Sequence, residues 1–321
     1  MTSFVAFTHP REAPSLLERS VPAPAPGELL IRVEACGLGA ADFGFFQLDA
    51  LPRTPLIPGF EAVGIVEGTG GGTATPIGTR VGLTPLASTC GGCNLCERGL
   101  ERWCARAQLH AWHCDGFLSR HVVMTERAVV RLEPTDEPTT WAPLFATGWT
   151  AFSAVRATEL GRGHRLGVIG LGGLGQLVVQ VARAQGLEVT AWDVDPERRA
   201  LTGDFAAAQP FTADSVDALV VCTPSTQAIQ QAVRAVRRGG ALVLAAASPS
   251  VRFDLSLFDT VMRGVTLKPA FLGARSELDE LISLTRTGAV KPAVTLISLE
   301  DVRSKFWLLR DGGFPGRLVV T

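Results

Sequence analysis

Residues 165–193 read RLGVIGLGGLGQLVVQVARAQGLEVTAWD, and this stretch decides the fold. A short apolar run, 165–170, leads into glycines spaced G-x-G-x-x-G at 170, 172 and 175. Apolar residues then recur at helical spacing, at Leu174, Val178, Val181 and Ala182, before a second apolar run, 188–193, ends on Asp193. Strand, glycine turn, helix and strand make a parallel βαβ unit. In such a unit Gly170, Gly172, Gly173 and Gly175 permit a tight turn and bring the N–H groups of a helix N-terminus against a pyrophosphate. A carboxylate at the end of the second strand, here Asp193, bonds ribose hydroxyls and repels a 2′-phosphate, so NAD(H) is expected over NADP(H). Arg198 could still pair with that phosphate, which keeps NADP(H) as the second choice.

The pattern continues downstream. Pro196 suits the first turn of another helix. Runs 218–222 and 241–246 are predicted strands with a helix over 227–237 between them, so the sheet is parallel and doubly wound. The interval 203–217 is short, so one peripheral strand or helix is expected to be missing. A helix over 276–287 and a strand-like end at 316–320 close the chain. Upstream the style differs. Short β-type runs at 4–8, 29–36, 62–67 and 120–124 are separated by turn signals such as 22–27 and 68–72, which suggests an irregular antiparallel domain. The glycines at 68–72 fit a hairpin loop, since no helical pattern follows them. The expected fold is α/β: a Rossmann domain over 144–270, a β-domain over 1–143, and a return to the latter over 271–321.

Of the 321 residues, 46% are hydrophobic, which suffices for sizeable cores, and 30 basic residues balance 31 acidic ones. This balance gives no basic footprint for nucleic acid. Apolar runs fall short of the about 20 residues a membrane helix needs, and the N-terminus has no signal-peptide pattern. A cytoplasmic location follows as the expectation. There is no tyrosine, which excludes any mechanism with a tyrosine proton donor.

Four of the seven cysteines cluster as Cys90, Cys93, Cys96 and Cys104, a C-x2-C-x2-C-x7-C spacing within the lobe 88–106. Four thiolates close a tetrahedral shell and leave no open position, so one structural zinc is expected. Cys36, Cys114 and Cys222 are scattered and read as small buried hydrophobes.

These residues resemble the zinc-containing medium-chain alcohol dehydrogenases, and most closely the cinnamyl-alcohol-dehydrogenase-like branch. The resemblance runs through 35–37 (ACG), 58–61 (PGFE), the cysteine lobe, 115–116 (DG), 142–144 (APL), the glycine turn and 316–317 (GR). It implies a GroES-like domain split by sequence around a Rossmann domain, and a homodimer formed through the Rossmann sheets near 241–246 and 261–271. The family binds a catalytic zinc through Cys, His and Cys. Those positions fall here on Gly39, Phe60 and Ala146, none of which can bind a metal. The proton-relay positions fall on Ala41 and Gly44. Asp42, which orients the ligand histidine in the family, Glu61, which lies behind the metal, and Arg317, which reaches the cofactor phosphates, all remain. Glu61 and Arg317 either pair with each other or serve catalysis. A zinc relocated to Cys36, Glu61 and a histidine is the rebuilt-site alternative.

No catalytic zinc is therefore expected. Without that Lewis acid, simple alcohol oxidation loses its support. Hydride transfer to an acceptor that is already electrophilic remains: an enone, enal or iminium with a hydrophobic body. Gly39, Phe60, Trp112 and Ala146 are expected to line an apolar pocket. His113 is the candidate proton donor, and Thr150 matches a position that touches the nicotinamide ring. Alternatives are a non-redox isomerase or cyclase in the same pocket, a non-catalytic cofactor-binding protein, and a zinc-type alcohol dehydrogenase with a rebuilt site.

Overall fold

The computed structural model describes residues 1–44, 48–310 and 316–321, without the side chains of 259 and 308–310. It divides into two compact units, Met1–Ala146 with Ala293–Thr321, and Thr147–Pro292.

In the first unit, β1 (Thr2–Ala6) and β2 (Ser15–Arg19) form an antiparallel pair. Next come β3 (Glu28–Leu38), β4 (Glu61–Thr69), β5 (Arg80–Leu83), β6 (Leu86–Ser88), β7 (Gln108–Leu109), β8 (His121–Thr125) and β9 (Val129–Arg131). The unit is completed from the far end of the chain by strands at Val294–Ile297 and Arg317–Val320, β15 and β16 in chain order. The strand order is β15-β16-β3-β4-β5-β9, with β8 also on β3. The long strand β3 organises this sheet. Its first half pairs with β8, its last residues with β16, and its other edge with β4. Alternation along β3 buries Leu29 and Ile31, which join Phe7, Phe117 and Phe306 in one core. The strand β2 had no clear sequence signal, because its residues alternate only between half-buried and exposed.

The second unit contains β10 (Arg165–Ile169), β11 (Glu188–Trp192), β12 (Val216–Val221), β13 (Val236–Leu244) and β14 (Thr266–Pro269). All pairings are parallel, in the order β11-β10-β12-β13-β14. Every residue of β12 is buried, as a parallel strand covered on both faces requires. Helices Gly173–Ala184 and Thr226–Ala235 make the crossovers. The short interval 203–217 holds a single parallel bridge, Ala191 to Ala206, where a further strand would lie beside β11. The helix expected over 227–237 stops at Ala235, because Val236 enters the sheet opposite Val216.

The domain boundary also moves. Residues 271–292 belong to the second unit and not to a return segment starting at 271. Helix Arg275–Arg286 buries Leu278, Leu281 and Ile282 there. Trp149 Nε1 donates to Ala274 O (3.0 Å) and Leu272 N to Thr150 Oγ1 (3.1 Å), tying this segment to helix Thr147–Ala157. Among the described residues no helix is long and apolar enough to cross a membrane.

Candidate functional site

The glycine turn joins β10 to helix Gly173–Ala184. Gly170 sits at φ +91°, where an L side chain would be strained. A Cβ on Gly175 would overlap the carbonyl oxygen of Gly170, so only glycine lets the helix approach the strand this closely. At Gly172, the N-cap, a Cβ would meet nothing within 4 Å, and no side chain caps the helix. The first N–H groups are thus open to an anion, and the residues fit a dinucleotide pyrophosphate. Asp193 is buried; its Oδ2 accepts from Leu171 N (2.6 Å) and its Oδ1 from Asp195 N (2.9 Å). Gln176 Nε2 donates to Leu171 O (3.0 Å) and braces the same turn, a contact the spacing did not signal. Arg198 lies with Nε 3.4 Å from Asp195 Oδ2, and it is Arg199 that binds the backbone oxygens of Asp193 and Val194. Gly175→Ala must displace backbone. Overpacking of about 1–3 kcal/mol is expected, and borne by the nucleotide-binding turn it weakens NADH binding roughly 5–150-fold in a fluorescence titration. An unchanged affinity would refute the close-approach argument.

The cysteine lobe springs from the β6–β7 ladder. Helix Asn94–Glu97 starts at Cys93, so Cys93 and Cys96 stand one turn apart on one face. The Cys90–Cys96 and Cys93–Cys96 sulfur separations are 3.8 and 3.6 Å, and all four sulfurs lie within 4.8 Å of one another. A tetrahedron of thiolates at about 2.3 Å from zinc has edges of about 3.8 Å, so the donor set fits. The Gly92 backbone N–H and then the Arg106 side chain draw the Cys90 thiol down to about 6, toward the thiolate a metal needs. Among the described residues this is the one group of three or more metal-donor side chains whose atoms converge.

A third arrangement lies within the first unit. Gly37 and Gly39 face the same side of extended backbone at the end of β3. Glu61 lies opposite Gly37, and pairing of Leu318 with Leu38 sets Arg317 beside Gly39. The two missing side chains leave a trough. A Cβ at Gly37 would come 2.8 Å from Glu61 Cγ, and one at Gly39 would overlap Arg317 Nη1. In this trough Arg317 Nη2 donates to Glu61 Oε1, and Glu61 Oε2 accepts from Ala146 N (2.9 Å). Arg317 Nε is buried without a hydrogen-bond partner. The structure thus brings Gly39, Glu61, Ala146 and Arg317 together. It places Arg317 on Glu61, one of the two arrangements left open in the sequence.

Beside them Asp42 is buried and accepts from Gly39 N (2.8 Å) and Gly59 N (2.9 Å). Burial pushes its carboxyl up to about 6, against the opposing pull of Arg317 and those two N–H groups. Burial likewise raises the thiol of Cys36, with Asp42 and Glu61 adding to the effect. Because the folded carboxyl titrates above its unfolded value near 4, protonated Asp42 stabilises the fold below that pH. The contribution fades as pH rises through about 6. At about 1.4 kcal/mol per pH unit this amounts to about 3 kcal/mol. The stability of the native chain relative to Asp42→Asn, which does not titrate, should therefore fall by about that amount between pH 4 and 7 in urea unfolding. A flat difference would contradict the burial argument.

Other expected site residues are held differently. His113 is exposed, and its Nδ1 accepts from Leu109 N (2.9 Å). The buried imidazole of that turn is His110, given no role by the sequence: Nδ1 bonds Asp115 O (2.7 Å), Nε2 is without a partner, and burial lowers its affinity for a proton. Thr150 is buried, and its hydroxyl holds Leu272 N. Trp149 packs in the core, Trp112 is exposed, and half-buried Phe60 packs against the first-unit core.

The family description "Alcohol dehydrogenase GroES-like domain" matches residues 25–134, and "D-isomer specific 2-hydroxyacid dehydrogenase, NAD binding domain" matches 141–238. An alcohol dehydrogenase of Geobacillus stearothermophilus is 34% identical over 310 residues, covering 92% of each chain. The chain belongs to the medium-chain alcohol dehydrogenase family. Its fold, a GroES-like domain with a Rossmann domain, is shared with the CAD of Helicobacter pylori complexed with NADP(H) (TM-score 0.91, 23% identity, 99% and 97% covered). It is also shared with a cobalt- and zinc-bound thermostable alcohol dehydrogenase of Pyrobaculum aerophilum (TM-score 0.90, 25% identity, 100% and 99% covered). This alcohol dehydrogenase relative is thus a nicotinamide-dependent oxidoreductase.

Proposed function

We propose that this member of the alcohol dehydrogenase family is a reductase without a catalytic zinc, acting on an activated C=C or C=N of a hydrophobic substrate. One observation carries the proposal: the guanidinium of Arg317 fills the space beside Gly39 and is bound to Glu61, where the family resemblance sets a metal. Gly39, Phe60 and Ala146 offer no donor side chain, and Ala146 gives its N–H to Glu61. Half-buried Phe60 and Ala146 supply apolar walls for a flat substrate. The glycine turn and Asp193 would hold NAD(H), and the nicotinamide supplies the hydride. His113 is the candidate proton donor through Nε2, because its Nδ1 is engaged by Leu109 N. The four cysteines hold one zinc with no open position.

The reading extends to assembly. Strand β14 ends the second sheet, and Leu257, Phe258, Val261, Met262 and Leu267 are exposed on and near it. A second copy of the chain covers them, so sedimentation should report a homodimer that Val261→Asp disrupts.

The function is tested by following NADH oxidation with enones, enals and iminium ions in mild chelator. Turnover unaffected by the chelator, with no oxidation of simple alcohols, is the expected result. Alcohol oxidation abolished by the chelator would restore the zinc-type reading, with the alcohol dehydrogenase activity by which the relative is named. Conversion without net NADH change would point instead to isomerisation or cyclisation.

A further inference from the structure

We propose that Gln176 positions the glycine turn for the cofactor pyrophosphate: it anchors the start of helix Gly173–Ala184 through carbonyl oxygens, and so leaves the N–H groups of the first turn to the phosphates. The inference deepens the reading of this turn as the cofactor site and rests on it.

The turn lacks the usual means of holding its shape. Gly170, Gly172, Gly173 and Gly175 are conformationally free and poor helix formers. No side chain caps the helix at Gly172. A serine, threonine or aspartate cap would hold the start, but it would accept from an N–H that an anion needs.

Gln176 supplies the hold from the carbonyl side instead. Its backbone N–H makes the first helical bond, to Gly172 O (3.1 Å), and its Nε2 donates to the preceding carbonyl, Leu171 O (3.0 Å). One residue thus fixes two consecutive carbonyls. In a trans peptide the N–H points opposite to the C=O, so the N–H directions of Gly172 and Gly173 are fixed as well. Neither N–H is consumed in the process.

The hold on Leu171 is complete only with this glutamine. Leu171 lies between two glycines; its side chain is buried and its N–H is taken by Asp193 Oδ2 (2.6 Å), which leaves the carbonyl to Gln176. Gln176 is itself only 6% exposed, so water competes little for its amide. Because it acts through the backbone, Gln176 is a positioning residue.

The test titrates the full-length chain with NADH, or with NADPH if the native chain prefers it, and by displacement with adenosine, which keeps the base and ribose but has no phosphate. Gln176→Met keeps the length of the side chain and removes the donor. Gln176→Ala also removes it and serves if the methionine variant does not fold. Gln176→His offers a ring N–H the same number of bonds from Cβ. Loss of the net contribution of one hydrogen bond should weaken NADH binding roughly 2–10-fold and leave adenosine unchanged, while the histidine variant stays near the native affinity. Equal losses on both ligands would assign Gln176 to folding alone and overturn the inference. Native NADH affinity without the donor, or no recovery with histidine, would overturn it too. Those results leave the cofactor site standing. A native chain that binds neither NADH nor NADPH overturns both.

Discussion

Arg317→Met is expected to destabilise the first unit by about 3–5 kcal/mol, because it removes the cation that is paired with Glu61 in a buried trough. At roughly 2–4 °C per kcal/mol, this is a fall of roughly 6–20 °C in the melting temperature of that unit. The double variant Arg317→Met/Glu61→Gln should recover most of the loss. Glutamine is neutral, and its amide oxygen can still accept from Ala146 N, which glutamate serves now. Thermal unfolding of the three proteins decides the matter. A single variant within about 0.5 kcal/mol of the native chain would show that the pair is incidental, as many ion pairs are at exposed surfaces. The same geometry means that cysteine at position 39 would need Arg317 to move, because its Cβ takes the volume that Nη1 occupies.

Removal of the lobe metal is expected to have the second large effect. Between β6 and β7 the chain has a helix of four residues, Asn94–Glu97, and a three-residue helical turn, Glu101–Trp103. Helices so short do not persist on their own. Structural zinc contributes about 10–16 kcal/mol of apparent binding free energy in small zinc domains, so a metal bound here would take the place of a core. A strong chelator, or Cys93→Ser, should open this segment to trypsin at Arg98, Arg102 and Arg106 while NADH affinity is retained, since the glycine turn belongs to the other unit. Persistent protease resistance in chelator would show that the lobe stands without a metal.

The legibility of the sequence followed the range of the interactions. The glycine turn and the cysteine lobe were legible because their geometry is local: each is set by spacings within about 25 residues. The shortness of 203–217 was read as the loss of a peripheral strand or helix, and the interval holds an isolated Ala191–Ala206 bridge beside β11. The Glu61–Arg317 pair was legible only as a possibility, since it depends on the registers of β4 and β16 against β3. Two glycines on one face of β3 were the available signal. His113 and His110 differ by three residues, and only the turn around Leu109 and Asp115 decides which imidazole is buried. Thr150 took a role from resemblance, and the sequence did not show that its hydroxyl also serves Leu272, 122 residues away. The boundary at 271 failed for a similar reason: helix Arg275–Arg286 has an apolar face, and sequence alone does not say which unit buries it.

The central claim, a family member whose one metal is structural, is tested most directly by counting zinc per chain in metal-replete, tag-free protein beside a Cys93→Ser control. The account predicts one zinc in the native chain and none in the control. Two zincs, one of them surviving the substitution, would contradict it, because a second site would then exist despite Arg317 lying over Gly39.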